Sequence, residues 1–300
     1  MADPSALRVL FGVLLAGATV TFAVATALAA TRPTIALRAL GRFADRSRLP
    51  VPAASADALE AYMRRSKVVE FAGLTIACAV CIVLLASPLG ASALYPIAVF
   101  APVLLLAAMV SATVVALRER LFRPPLGSPR VARSRATTAR DYLGPGRWIL
   151  PWVLAAAAGI AGAWVVWMLA RGAAPRPEVA VITLVVAALA VGTAIGLPRL
   201  DAAILGRPQP AGSELELAWD DALRASAVNA CRQTATVLSI AAIALAVVAV
   251  VAGADAVPAW AFTLFLWAQL PIAFVYPTAG APLRRQLHPH GIHVPLGSTA

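Results

Sequence analysis

Residues 7–30 read LRVLFGVLLAGATVTFAVATALAA, an apolar run whose single charged residue is Arg8. At a rise of 1.5 Å per residue, a helix of this length covers the roughly 30 Å hydrocarbon core of a bilayer. A secretory signal has a shorter apolar core, about 7 to 15 residues, and its positive charges come first. Here most of the nearby positive charge follows the run. We therefore expect the run to be retained as a membrane-spanning helix.

Similar apolar blocks recur along the chain, separated by segments rich in proline, glycine or charge. The chain is 61% hydrophobic and 13% charged, with a mean hydropathy of +0.82, which lies outside the range of soluble domains. The sequence predicts an all-α transmembrane helical bundle, a single integral membrane domain over residues 1–300. We predict seven spans, at about residues 7–30, 68–89, 95–117, 148–170, 179–197, 234–252 and 259–276.

The basic residues lie almost entirely on one side of these spans. Of 25 lysines and arginines, 22 fall in the segments 31–67, 118–147, 198–233 and 277–300. Positive residues in short loops stay in the cytoplasm, so these segments are predicted to be cytoplasmic loops and a cytoplasmic tail, with the N-terminus outside. The composition, rich in alanine and arginine, is typical of a GC-rich bacterial genome, which predicts a multi-pass protein of the bacterial cytoplasmic membrane.

The net charge of +11 suggests either nucleic acid or lipid as a partner. Because the basic residues border the apolar blocks, we expect contact with anionic lipids at the cytoplasmic face and no nucleic-acid partner. A cytoplasmic or membrane protein partner is a further expectation.

A weak repeat follows the first span. A cytoplasmic segment, an outward span, a short external turn and a return span recur, with outward spans starting near residues 68, 148 and 234. This order predicts one leading helix followed by three hairpins. The alternative is that apolar hairpins with basic ends simply resemble one another.

The segment before the sixth span has the pattern of an amphipathic helix. Ser213 and Glu216 have the spacing of a capping box, and Leu215, Trp219 and Leu223 can share one face. This face predicts either a docking site for a partner or an interfacial helix on the lipid head groups. The adjacent carboxylates Asp220 and Asp221 point about 100° apart on a helix, which favours a solvated face over a catalytic pair.

Two features within the spans predict helix packing. Gln269 lies two residues before Pro271, which predicts a kink with a polar packing site. Gly192 and Gly196 form a G-x-x-x-G motif, for which we expect packing within the chain ahead of dimerisation.

The sequence indicates no catalytic, cofactor-binding or metal-binding residues. Cys78 and Cys81 lie in an apolar helix without a second ligand pair, and the three histidines lie in a tail rich in proline and glycine. We therefore predict a non-enzymatic membrane component of a transport or partner-binding complex. The alternative is a membrane-embedded enzyme that acts on lipid head groups through Asp141 and Tyr142.

Overall fold

The computed structural model describes residues 4–86, 99–118, 138–172, 177–206 and 211–251. These parts of the chain are helical, without strands. Eight α-helices follow one another: α1 (Pro4–Thr31), α2 (Pro33–Ser47), α3 (Ala56–Leu85), α4 (Ala101–Arg118), α5 (Ala139–Tyr142), α6 (Pro145–Ala170), α7 (Pro177–Leu205) and α8 (Glu214–Val251). A 3₁₀ turn, Ala53–Ser55, precedes α3.

Five of these helices, α1, α3, α6, α7 and α8, are long and apolar enough to cross a membrane. The predicted third span, at about residues 95–117, corresponds to the shorter apolar helix α4. The predicted seventh span, with Gln269 and Pro271, lies outside the described residues. The helical class is confirmed, and the count of seven is not.

The helices turn large aliphatic side chains outward. Val83 of α3 exposes 71% of its surface and Ile160 of α6 exposes 72%. A soluble protein rarely exposes continuous apolar faces of this size, whereas lipid accepts them without cost. These outward faces indicate a membrane protein.

Helix α8 lies at the centre of the bundle, packed against α4, α6 and α7, while α1 lies at the periphery against α3. In the most apolar window of α8, 67% of the residues are buried, compared with 6% in α1. Helix α8 runs from Glu214 to Val251 without proline or glycine. The predicted amphipathic segment and the predicted sixth span are therefore one continuous helix.

Buried side chains form two large clusters, one at each end of the bundle. The first is apolar and contains Leu15, Leu85 and Leu245. The second, which we call the basic-end core, contains Leu59 and Ile204. This second cluster lies at the end of the bundle where α1, α4 and α7 end and where α3, α6 and α8 begin. We call this end of the bundle the basic end.

Helix α2 covers part of the basic-end core and was not predicted from the sequence. It starts with Pro33 at its first turn, where the missing N–H costs nothing. Arg48 closes it in the left-handed conformation, with its N–H donating to the carbonyls of Ala44 and Asp45. The buried face of α2 carries Ala36 and Leu40, while its other face is polar, so the helix is strongly amphipathic. Within the predicted cytoplasmic loop 31–67, residues 33–47 therefore form a helix.

Close helix contacts occur at glycines other than the predicted pair. A Cβ added at Gly192 or Gly196 would meet no described atom within 4 Å, so neither is at a tight contact with a described helix. A Cβ added at Gly162 of α6 would lie 3.3 Å from the Cβ of Ala187 in α7, and one at Gly73 of α3 would clash with Ser111 of α4. Small residues thus permit close approach in both of these helix pairs.

Candidate functional site at the basic end

Trp219 anchors α8 beneath the segment that joins α2 to α3. Its side chain is fully buried, and its ring stacks on Phe43 of α2 with centroids 5.6 Å apart. The indole Nε1 donates a hydrogen bond to the carbonyl of Pro50 at 2.9 Å. The ring therefore buries its apolar surface and satisfies its one polar atom inside the chain.

A hydrogen bond between buried groups joins α5 to α8. The hydroxyl of Tyr142, which is 3% exposed, donates to Asp221 Oδ1 at 2.8 Å, and Asp221 is fully buried. Helix α5 presents this tyrosine, and a capping box between Thr138 and Asp141 starts the helix. The prediction that Asp221 belongs to a solvated face is wrong, because packing by α5 covers it.

The most buried basic side chain in the described residues is Arg232, which pairs with Asp201. Arg232 is 1% exposed, and its Nη1 donates to Asp201 Oδ1 at 2.8 Å while Nη2 donates to Oδ2. This fork-to-fork geometry gives two parallel hydrogen bonds. The pair ties α7 to the middle of α8.

Arg224 closes the end of α7. Its Nη1 donates to the carbonyls of Ile204 and Leu205, at 3.4 Å and 3.2 Å, and its Nε pairs with Asp220 at 2.8 Å. The last carbonyls of a helix lack partners within the helix and carry its negative dipole end, so a guanidinium is a favourable cap. Asp220 thus pairs within α8 and is not a free surface acid.

Glu216 connects the start of α8 to the start of α3. Its carboxylate accepts hydrogen bonds from the Ser55 hydroxyl and from the Gly212 N–H. The Glu216 N–H donates to Ser213 Oγ at 3.2 Å. The predicted capping box is therefore half formed, because the carboxylate reaches Gly212 and Ser55.

The predicted docking face of α8 is turned into the chain. Trp219 is fully buried, and Leu215 and Leu223 are partly buried against the basic-end core. A docking or head-group role for this face does not fit this burial. The partners of Trp219 lie about 170 positions earlier in the chain, and a local amphipathic pattern cannot show them.

The residues named for the alternative lipid enzyme have structural contacts. Asp141 Oδ2 accepts from both the N–H and the hydroxyl of Thr138, at 2.6 Å and 2.8 Å. Tyr142 is bound to Asp221 beneath the surface. Asp141 thus caps the start of α5, and Tyr142 joins α5 to α8.

Within the described part of the chain, no group of three or more potential metal ligands occurs. Cys78, Cys81 and Cys231 are free thiols and are buried. The Thr113 hydroxyl lies 3.5 Å from the Cys231 sulfur and links α4 to α8. The histidines of the tail lie outside the described residues.

No protein-family model, curated protein or solved structure matches this chain.

Proposed function

We propose that this chain is a non-enzymatic integral membrane component of a partner-binding or transport complex in the bacterial cytoplasmic membrane. In this proposal the basic end faces the cytoplasm. The observation that carries the proposal is the division of the bundle into outward apolar faces and a compact end in which the buried arginines Arg224 and Arg232 pair with aspartates. Such an end is a rigid platform, because breaking a buried ion pair is costly.

The distribution of charge supports the orientation. The segments predicted to face the cytoplasm hold 22 of the 25 basic residues. In the described residues, α2, the start of α3, the end of α4 and α5 meet at this end, whereas Arg171 lies at the opposite end, after α6. Basic residues that border spans are retained on the cytoplasmic side.

The exposed face of α2 is the surface that we propose for a partner. Arg38, Arg42 and Arg46 are exposed, while the opposite face of the helix packs on the basic-end core. Because the opposite face of α2 packs against the basic-end core, the three arginines form a positively charged surface of defined shape. The charge favours an acidic protein surface, and complementary charge speeds and orients such encounters.

Affinity purification of the intact protein from membranes in mild detergent tests this function. We expect a stoichiometric protein partner, and we expect Arg38→Glu with Arg46→Glu to reduce its recovery at least about tenfold, since like charges repel across an interface. Arg140→Glu with Arg199→Glu makes the same change in charge at exposed sites of the basic end outside α2. A partnerless wild-type protein, or equal loss of the partner in both double variants, contradicts the proposal.

A further inference from the structure

A cavity with three arginines lies between the ends of α1, α3 and α4. Its volume is about 360 Å³, within the range of roughly 300 to 1,000 Å³ that small-ligand sites occupy. Arg64 and Arg65 of α3 and Arg118 of α4 line it, and Ala30 of α1 closes the third side. Among the described residues that line it, none is acidic.

The arginines of this cavity are placed to receive an anion. Arg64 and Arg118 are exposed, and neither forms an ion pair with an acidic side chain in the part of the chain that the structure describes. Elsewhere at this end, Arg224 and Arg232 pair with aspartates. A guanidinium binds phosphate oxygens through two parallel hydrogen bonds, so converging arginines favour a phosphate group.

The other described residues that line the cavity are apolar. Val68 and Val69 of α3 and Val114 and Val115 of α4 form its walls. Residues 64 and 68 lie one turn apart on α3, as do residues 114 and 118 on α4, so each helix places an arginine directly beyond a valine. Valine walls offer nothing to a free inorganic ion, whereas an amphiphile places hydrocarbon against them.

The cavity lies at the level where a lipid head group is expected. The predicted first span ends at residue 30, the second begins at residue 68 and the third ends at residue 117. Ala30, Val68 and Arg118 all line the cavity, so three independent boundaries of the apolar blocks meet there. Phosphate groups of the bilayer lie just outside the hydrocarbon boundary.

We propose that this cavity binds one anionic glycerophospholipid of the cytoplasmic leaflet. Arg64 and Arg118 bind its phosphate oxygens, Arg65 adds positive charge, and the valines contact the first carbons of its acyl chains. The site rests on the proposed orientation for the choice of leaflet, while its chemistry depends only on the arginines and valines.

Titration of delipidated, intact protein in an uncharged detergent, followed by native mass spectrometry, tests the site. The probes are dioleoyl phosphatidylglycerol, dioleoyl phosphatidylcholine and inorganic phosphate. We expect one phosphatidylglycerol to bind, and Arg64→Ala with Arg118→Ala to weaken it at least about tenfold, the effect of losing one charge-assisted hydrogen bond. Arg140→Ala with Arg199→Ala removes the same charge at exposed sites outside the cavity and is expected to stay within about twofold of wild type.

Three results would overturn the proposal. The first is phosphatidylglycerol binding as tight as that of the wild type by the Arg64 and Arg118 double variant. The second is equal weakening of lipid binding in the control pair, which would indicate that the overall positive charge of the protein binds the lipid. The third is displacement of the lipid by inorganic phosphate at equal concentration, which would indicate a free-anion site. If the alanine pair does not fold, Arg64→Gln with Arg118→Gln serves for the same comparison. A failure here leaves partner recovery and orientation untouched, since those depend on other residues.

Discussion

Replacing Arg232 with alanine is expected to lower the free energy of unfolding by about 3 kcal/mol, the lower end of the range for breaking a buried ion pair. Arg232 is 1% exposed and Asp201 is 15% exposed, so the variant leaves a largely buried carboxylate without its bidentate partner. Because Asp201 keeps some contact with solvent, we choose the lower end of the range.

The three native cysteines give a direct readout of this unfolding. All are buried, so a thiol-reactive fluorophore responds when a denaturant titration in detergent micelles opens the core. Arg199→Ala is the matched control, because Arg199 is exposed on the same helix as Asp201, and its expected loss is within about 0.5 kcal/mol.

A double-mutant cycle separates the ion pair from the packing of the two side chains. Asp201→Ala combined with Arg232→Ala is expected to cost less than the sum of the single variants, since the double variant buries no unpaired charge. Additive losses, or a loss below about 1 kcal/mol for Arg232→Ala, would show that the pair does not hold α7 to α8.

Trp219→Ala is expected to be at least as damaging, with a loss of about 3 to 5 kcal/mol for a fully buried tryptophan. The substitution removes the stack on Phe43 and the hydrogen bond to Pro50 and leaves a cavity beneath the segment that joins α2 to α3. Trp219→Phe keeps an aromatic ring and loses the donor, for an expected cost of about 1 to 3 kcal/mol from the unsatisfied carbonyl.

The control for this substitution is Trp164→Ala. Trp164 is 53% exposed on α6, so its removal leaves no cavity inside the bundle and is expected to cost less than about 1 kcal/mol. The same thiol assay measures all three variants. If Trp219→Ala loses a partner protein while unfolding like the wild type, the face of α8 is a docking surface and its burial against α2 is contradicted.

The apolar helices were largely predictable from the sequence, because each depends on a local run of residues. The predicted spans at about 148–170 and 179–197 lie within α6 and α7, and the first lies within α1. The predicted spans at about 68–89 and 234–252 begin later than α3 and α8, because both helices continue without a break through the charged residues that precede the apolar runs. The amphipathic helix near Ser213 was predicted, but its continuity with the sixth span was not, since tertiary packing stabilises it.

The basic-end core could not be predicted, because its contacts join distant residues. Tyr142 and Asp221 are 79 positions apart, Ser55 and Glu216 are 161 apart, and Pro50 and Trp219 are 169 apart. The helical spacing of Asp220 and Asp221 indicated that the two point in different directions, and the solvated face predicted from it was wrong for Asp221. The local sequence carries no information on which of the two another helix covers.

The most direct test of the membrane arrangement is labelling of single added cysteines by a membrane-impermeant maleimide in sealed, right-side-out membrane vesicles. Arg46→Cys on α2 and Arg171→Cys after α6 place exposed thiols at opposite ends of the bundle, and the buried native thiols keep the background low. We predict that Arg171→Cys is labelled in sealed vesicles and that Arg46→Cys is labelled only after permeabilisation. Labelling of Arg46→Cys alone would reverse the orientation, and equal labelling of both in sealed vesicles would contradict a bundle that crosses the membrane.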